Sequence, residues 1–286
     1  MAGIELELIG VSDTIQLDNT YYTLQTGTKG FGIPSPLLRI DPSASNGGTF
    51  RYAKRDIREI DLPIHIAGDD RDMTETLLRR LANILRDKVR LQATYPDGSV
   101  WYLDTYYAGG GETMFGAEAN DYFCNWDLIL RAPQPFWQSD QPFQVSIVQD
   151  STTRGLLAGS SPKSLAFLRI KTSQAFGQVM VTNDGDVDAP AKWVINGPST
   201  LLTIQKSDGT GFTYSTSMSS SDTLYIDCEA GTVVDQNGVN KYSGLGSAPK
   251  LFSLPPGNSL LTITVTGSSS ATKVRGTFMP RREVLH

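Results

Sequence analysis

Apolar and polar residues alternate along most of this chain, the pattern of strands that bury one face. Ile4-Glu5-Leu6-Glu7-Leu8 and Val89-Arg90-Leu91-Gln92-Ala93-Thr94-Tyr95 show it plainly. The second run ends at Pro96-Asp97-Gly98, where proline presets φ and glycine accepts a positive one. Val100-Trp101-Tyr102-Leu103-Asp104-Thr105-Tyr106-Tyr107 follows, so the two runs predict a hairpin. Further strands are expected at Arg58–Ile64 and Phe123–Leu130. One stretch has a different period. Leu77, Leu78, Leu81, Ile84 and Leu85 fall on one face of a helix. Asp72-Met73-Thr74-Glu75 has the form of its N-terminal cap, and Arg86 and Lys88 suit its C-terminal end. That stripe is expected to pack the helix against a sheet.

Beyond about residue 140 the helical period disappears and Ser, Thr and Gly rise. Short strands are predicted at 178–182, 192–196, 201–205, 223–227, 231–235, 251–254 and 260–266, the last after the turn Pro255-Pro256-Gly257-Asn258. Turn signals such as Asn196-Gly197-Pro198, Asp208-Gly209 and Gln236-Asn237-Gly238 separate them, and this spacing predicts an antiparallel β-sandwich. The prolines of Arg131-Ala132-Pro133-Gln134-Pro135-Phe136-Trp137 stop strand pairing and mark a domain boundary.

Composition adds a size argument. At 286 residues the chain exceeds what one hydrophobic core commonly serves, so two domains are expected, 1–140 and 141–286. No window approaches the roughly 20 apolar residues of a membrane-spanning helix, and no membrane insertion is expected. The opening Met1-Ala2-Gly3-Ile4-Glu5 has no basic and apolar leader pattern, so no secretory signal is expected. The net charge of −5 hides an uneven split, −7 over residues 1–140 and +2 over 141–286. Duplex DNA binding needs a basic stripe to displace counterions, and the cluster Arg51, Lys54, Arg55, Arg58 is interrupted by Asp56 and Glu59. It reads as a solvated or interfacial face, and no sequence-specific nucleic-acid binding is expected.

The scarce residues exclude much chemistry. The chain has two His and two Cys. A catalytic triad would have to use His65 as its base, and His65 in Leu62-Pro63-Ile64-His65-Ile66 reads as a sheet residue facing solvent or a neighbouring subunit. Cys124 and Cys228 are too far apart for a zinc pair and read as buried small apolar residues. Asp184, Asp186 and Asp188 alternate as in a calcium loop but lack the full pattern, so a solvated loop is expected. The glycine stretches at 27–30 and 109–111 lack phosphate-loop spacing and read as turns. Carboxylate-based glycoside hydrolysis needs neither His nor Cys, yet no acid stands out for it. No catalytic residue, metal or cofactor is expected.

The order of these elements resembles the distal tail protein (Dit) family of long-tailed bacteriophages. Five segments carry the resemblance: Arg58-Glu59-Ile60-Asp61-Leu62-Pro63-Ile64 leading into the leucine-striped helix; Tyr95-Pro96-Asp97-Gly98 with Trp101 and Tyr102; Trp126-Asp127-Leu128-Ile129-Leu130 running into Ala132-Pro133-Gln134-Pro135-Phe136-Trp137; Asn183-Asp184-Gly185 through Trp193-Val194-Ile195-Asn196-Gly197; and Leu224-Tyr225-Ile226-Asp227 with Asn237-Gly238 before Phe252-Ser253-Leu254-Pro255-Pro256-Gly257-Asn258.

The resemblance implies a mainly β protein. An N-terminal belt domain, a β-sandwich with one α-helix and an extended hairpin, would precede a C-terminal galectin-like antiparallel β-sandwich. It implies a non-enzymatic hub in the virion, assembled in the host cytoplasm. Six copies would form a ring that joins the tail tube protein to the tail-tip protein and leaves a central channel for DNA. Receptor-binding or side-fibre proteins are further partners in some members. Tyr102, Tyr106, Tyr107 and Phe115 are the candidates for the ring contact, because aromatic residues are enriched at interfaces. The alternative is a carbohydrate-binding or adhesin module contacting the host envelope. Galectin sites use a His-x-Asn-x-Arg run, and the second half has no histidine before His286. Trp193, beside Val194 and Ile195, reads as core rather than as a sugar platform.

Overall fold

The computed structural model describes residues 3–111, 122–148, 174–247 and 249–285. The chain forms two compact units, one of residues 1–141 with 281–286 and the other of residues 142–280. The second unit is therefore an insertion in the first, and the last residues of the chain belong with its beginning.

In the first unit the strands are β1 (Glu5–Ile9), β2 (Thr14–Gln16), β3 (Tyr22–Leu24), β4 (Pro36–Pro42), β5 (Gly48–Arg55), β6 (Arg58–Ala67), β7 (Val89–Thr94), β8 (Val100–Gly109), β9 (Phe123–Ala132) and β10 (Trp137–Ser139). Seven of them run in the order β2-β1-β7-β8-β9-β6-β3. Alternation does the work that the sequence predicts: Ile60, Leu62, Ile64 and Ile66 of β6 face inward with Leu128 and Leu130 of β9, all fully buried. β8 bends the sheet, its first half pairing with β7 and its last residues with β9. The β7–β8 turn forms as expected, with the Gly98 amide donating to the Tyr95 carbonyl at 2.9 Å and Gly98 at φ +82.

The helix α1 (Arg71–Ile84) starts one residue pair earlier than its sequence signal. Its cap is Asp70, whose carboxylate accepts from the Met73 amide at 2.8 Å, and Leu85 closes the other end. Asp69, Asp70 and Asp72 all have capping chemistry, and the extended backbone at Asp70 decides among them. Glu75 is then free of the cap and pairs with Arg79 one turn on. Arg86 and Lys88 lie beyond the helix. Leu77, Leu81 and Ile84 are buried in the unit's core, and the Tyr22 hydroxyl donates to the Leu77 carbonyl at 2.9 Å. Burial pushes that hydroxyl up to about 12.

The C-terminal residues complete this core. The short strand Arg281–Arg282 pairs with β10, the Leu285 amide donates to the Phe31 carbonyl at 2.9 Å, and Leu285 itself is buried.

The second unit contains β11 (Phe143–Val148), β12 (Gln174–Asn183), β13 (Ala189–Asn196), β14 (Ser199–Lys206), β15 (Gly211–Met218), β16 (Thr223–Asp227), β17 (Thr232–Asp235), β18 (Ser253–Leu254), β19 (Gly257–Thr266) and β20 (Lys273–Phe278). One sheet runs β11-β20-β13-β16-β17, with β18 on β13, and the other runs β12-β19-β14-β15. Inward residues of both sheets, among them Trp193, Ile195, Ile204 and Ile263, share one core. The protein is mainly β with one α-helix among the described residues. The strand at 260–266 is not the last, because β20 follows it and lies between β11 and β13.

Candidate assembly surface

The stretch 31–57 carries no clear strand period, yet the structure places a hairpin there. Among the described residues β4 and β5 pair only with each other, and nearly every residue of both is exposed. A lone two-stranded ribbon is marginally stable in water. The signal is hidden because apolar residues occur at successive positions, Leu37-Leu38 and then Ile40, rather than at alternate ones.

The register sorts them. Leu38 pairs with Ala53, Arg39 with Tyr52 and Ile40 with Phe50, so Arg51 is an extra residue on its strand. The bulge brings Phe50 to the face of Ile40 and Leu38, since paired residues of antiparallel strands share a face. These three are 60%, 57% and 53% exposed. Covering what is still exposed of each would contribute somewhat over half of the roughly 1.5–3 kcal/mol of a fully buried side chain, and adjoining exposed apolar side chains of this kind mark interaction surfaces. The opposite face is mixed: Leu37, Arg39 and Asp41 lie across from Lys54, Tyr52 and Thr49. Arg51 turns to Asp41 at 2.6 Å. At the base Arg55 pairs with Glu283 at 2.8 Å. Of the basic cluster read as a solvated or interfacial face, Arg51, Lys54 and Arg55 are the charged flank of an exposed ribbon, whereas Arg58 is buried, its guanidinium spent on main-chain carbonyls.

The aromatic candidates divide. Tyr102 is buried, with its hydroxyl 3.4 Å from Gln138 Oε1 and the Arg90 guanidinium stacked 3.8 Å over its ring. It packs within the first unit. Tyr106 and Tyr107 are exposed near the end of β8. Phe115 lies outside the described residues.

Other singled-out residues have structural partners. His65 Nδ1 lies 2.7 Å from Asn125 Oδ1 on the outer side of β6 and β9. Cys124 is buried and Cys228 half-buried, both as free thiols. Burial pushes Cys228 up to about 11 and raises Cys124 as well. Asp184, Asp186 and Asp188 are exposed, while the neighbouring Asn183 side chain holds the loop through Val187, Leu254 and Gly185. Among the described residues no group of three His, Cys, Asp or Glu side chains could hold a metal ion. Trp193 is buried against Gly276 and presents no stacking platform.

Residues 184–281 match the profile of a siphovirus-type tail component, C-terminal domain. The fold of the chain is similar to that of the SPP1 Dit protein, a paradigm of the hub adsorption apparatus of phages infecting Gram-positive bacteria. That likeness covers 96% of this chain and 98% of the other, with a TM-score of 0.63 and 13% identity. A chain of the phage P2 baseplate, in its activated conformation with Ca, is similar over 99% of this chain and 100% of its own, with a TM-score of 0.50 and 10% identity. At these identities the likeness is one of fold, and it spans the first unit as well as the second. No curated protein sequence matches the chain.

Proposed function

We propose that this chain is a distal tail hub whose first unit forms a hexameric ring. In this reading the ring joins the tail tube protein to the tail-tip protein, and its centre leaves a passage for DNA. The observation that carries the reading is the β4–β5 hairpin, a ribbon with an exposed apolar face and no partner sheet among the described residues. A ring of identical subunits needs such a patch, because each copy must present to its neighbour a surface that is costly to leave in water. Tyr106 and Tyr107 are offered as a second contribution to that contact. The second unit, a galectin-like sandwich, is the platform for receptor-binding or side-fibre proteins.

Charge supports the passage. Six copies of a segment carrying −7 repel DNA during transit rather than retain it. The role is structural, in the virion at the tail tip, and assembly in the reducing host cytoplasm suits the two free thiols.

Mass photometry and negative-stain microscopy of the purified full chain test the ring. Six-membered particles with an axial opening are expected. A strict monomer at high concentration, and within purified tails, overturns the reading.

A further inference from the structure

We infer that the apolar face of the β4–β5 hairpin in one copy seats in an apolar cleft beside β1 of the next copy, joining subunits head to tail. This rests on the ring reading above and adds the surface that receives the hairpin. The cleft belongs to the first unit, measures about 230 Å³ and is lined by Ile4, Leu6, Thr28, Phe31 and Leu285. Ile4, Leu6 and Phe31 are only partly buried, so the cleft leaves apolar surface in contact with water. The hairpin does the same through Leu38, Ile40 and Phe50. Each surface is a fitting cover for the other.

Two further observations commit the occupant to a second copy of this chain. The first is charge. Residues 36–55 carry Arg39, Arg51, Lys54 and Arg55 against Asp41, a balance of +3, whereas the remainder of residues 1–140 carries −10. A basic arm on an acidic body attracts the body of another copy and steers their encounter. The second is placement. Arm and cleft are different patches of one unit, so every copy both gives and receives. Such heterologous contacts add subunits until the rotation closes a ring.

Two full-length variants test the pairing. Phe50→Asp spoils the arm and keeps the cleft; Thr28→Arg fills the cleft and keeps the arm. Each alone is expected to be monomeric by mass photometry, and an equimolar mixture is expected to form dimers that grow no further. Rings persisting in either variant, or a mixture of folded variants that stays monomeric, overturn the inference while the ring reading stands. A wild-type protein that never oligomerises overturns both. A cysteine pair, Phe50→Cys with Thr28→Cys, serves as a second measurement should a charged variant misfold. Oxidation is expected to produce a covalent ladder on a non-reducing gel that neither single variant gives. Oligomers without that ladder place the contact elsewhere and overturn the inference.

Discussion

The guanidinium of Arg58 donates to the main-chain carbonyl of Glu283 at 2.6 Å, although 225 positions separate the two residues. The same guanidinium reaches the carbonyls of Pro135, Gly30 and Gly32. One buried side chain thus ties four distant segments of the first unit. Burial pulls Arg58 down to about 10, with the Glu283 charge opposing, so it remains a cation at neutral pH. Carbonyl dipoles surround it in place of a directly bonded carboxylate.

Arg58→Met removes this clamp and strands several acceptors. The first unit is expected to lose about 2–5 kcal/mol, read as a lower melting temperature of the full chain. Arg58→Lys is expected to recover less than half of it, since an ammonium lacks the planar fork that reaches separated acceptors. A change below about 1 kcal/mol for the Met variant, within the ordinary range of surface substitutions, contradicts the clamp.

In the second unit Trp193 sits directly across from Gly276 on the neighbouring strand. A Cβ on Gly276 would lie 2.5 Å from the indole ring, and the ring is 1% exposed. Gly276→Ala forces the indole out of its place, and about 1–3 kcal/mol of destabilisation is expected. Chemical denaturation followed by tryptophan fluorescence measures it, and an unchanged midpoint contradicts the packing.

Cys228, held at about 11 chiefly by burial, is only about 0.1% thiolate at pH 8 by that value. Cys124 is raised by burial too. Native protein at pH 8 is expected to react with a thiol reagent at least tenfold more slowly than unfolded protein, in which both thiols react. Rapid labelling of Cys228 in the folded chain overturns this.

Asp13 sits below the usual carboxylate range, first because the Arg80 side chain hydrogen-bonds it, at 2.6 Å. A depressed folded value means that its contribution is present above the unfolded value and is lost as pH falls through the folded one. Both partners are well exposed, so solvent screening limits the effect to on the order of a few tenths of a kcal/mol. Asp13→Asn is expected to flatten the acid limb of the stability profile below about pH 4, measured by denaturant midpoints against pH. An acid limb identical to that of the wild type contradicts it.

The hairpin is predicted to matter for assembly and not for the fold of a single subunit. Leu38→Ser with Ile40→Ser is expected to shift the stability of the monomeric chain by no more than about 0.5 kcal/mol while abolishing ring formation. A large drop in monomer stability would mean that these side chains pack within their own unit.

Local alternation was enough to place β1, β6, β7, β8, β9 and most strands of the second unit, because a half-buried strand writes its period of two directly into the chain. The leucine stripe of α1 and the Pro96-Asp97-Gly98 turn are legible for the same reason. The buried Trp193 was also legible, from its β-branched neighbours. The assembly surface was not. A ribbon exposed on both faces has no inside, so Leu37, Leu38 and Ile40 obey no period until a register and the bulge at Arg51 assign them sides. That Tyr102, a candidate for the ring contact, is buried was not legible either, because aromatic composition marks interfaces and cores alike, and only the Arg90 and Gln138 contacts choose between them.

The sequence by itself determined the class: β-rich, one helix, an acidic first half, and too few His and Cys for much chemistry. Tertiary structure alone decided that residues 281–286 complete the first unit, that Arg58 binds segments far apart in the chain, and that an apolar ribbon and an apolar cleft coexist on one body. Periodicity and composition are local quantities, read within a few residues. Clamps, clefts and exposed faces are made by residues tens to hundreds of positions apart, and they come into being only when the chain closes on itself.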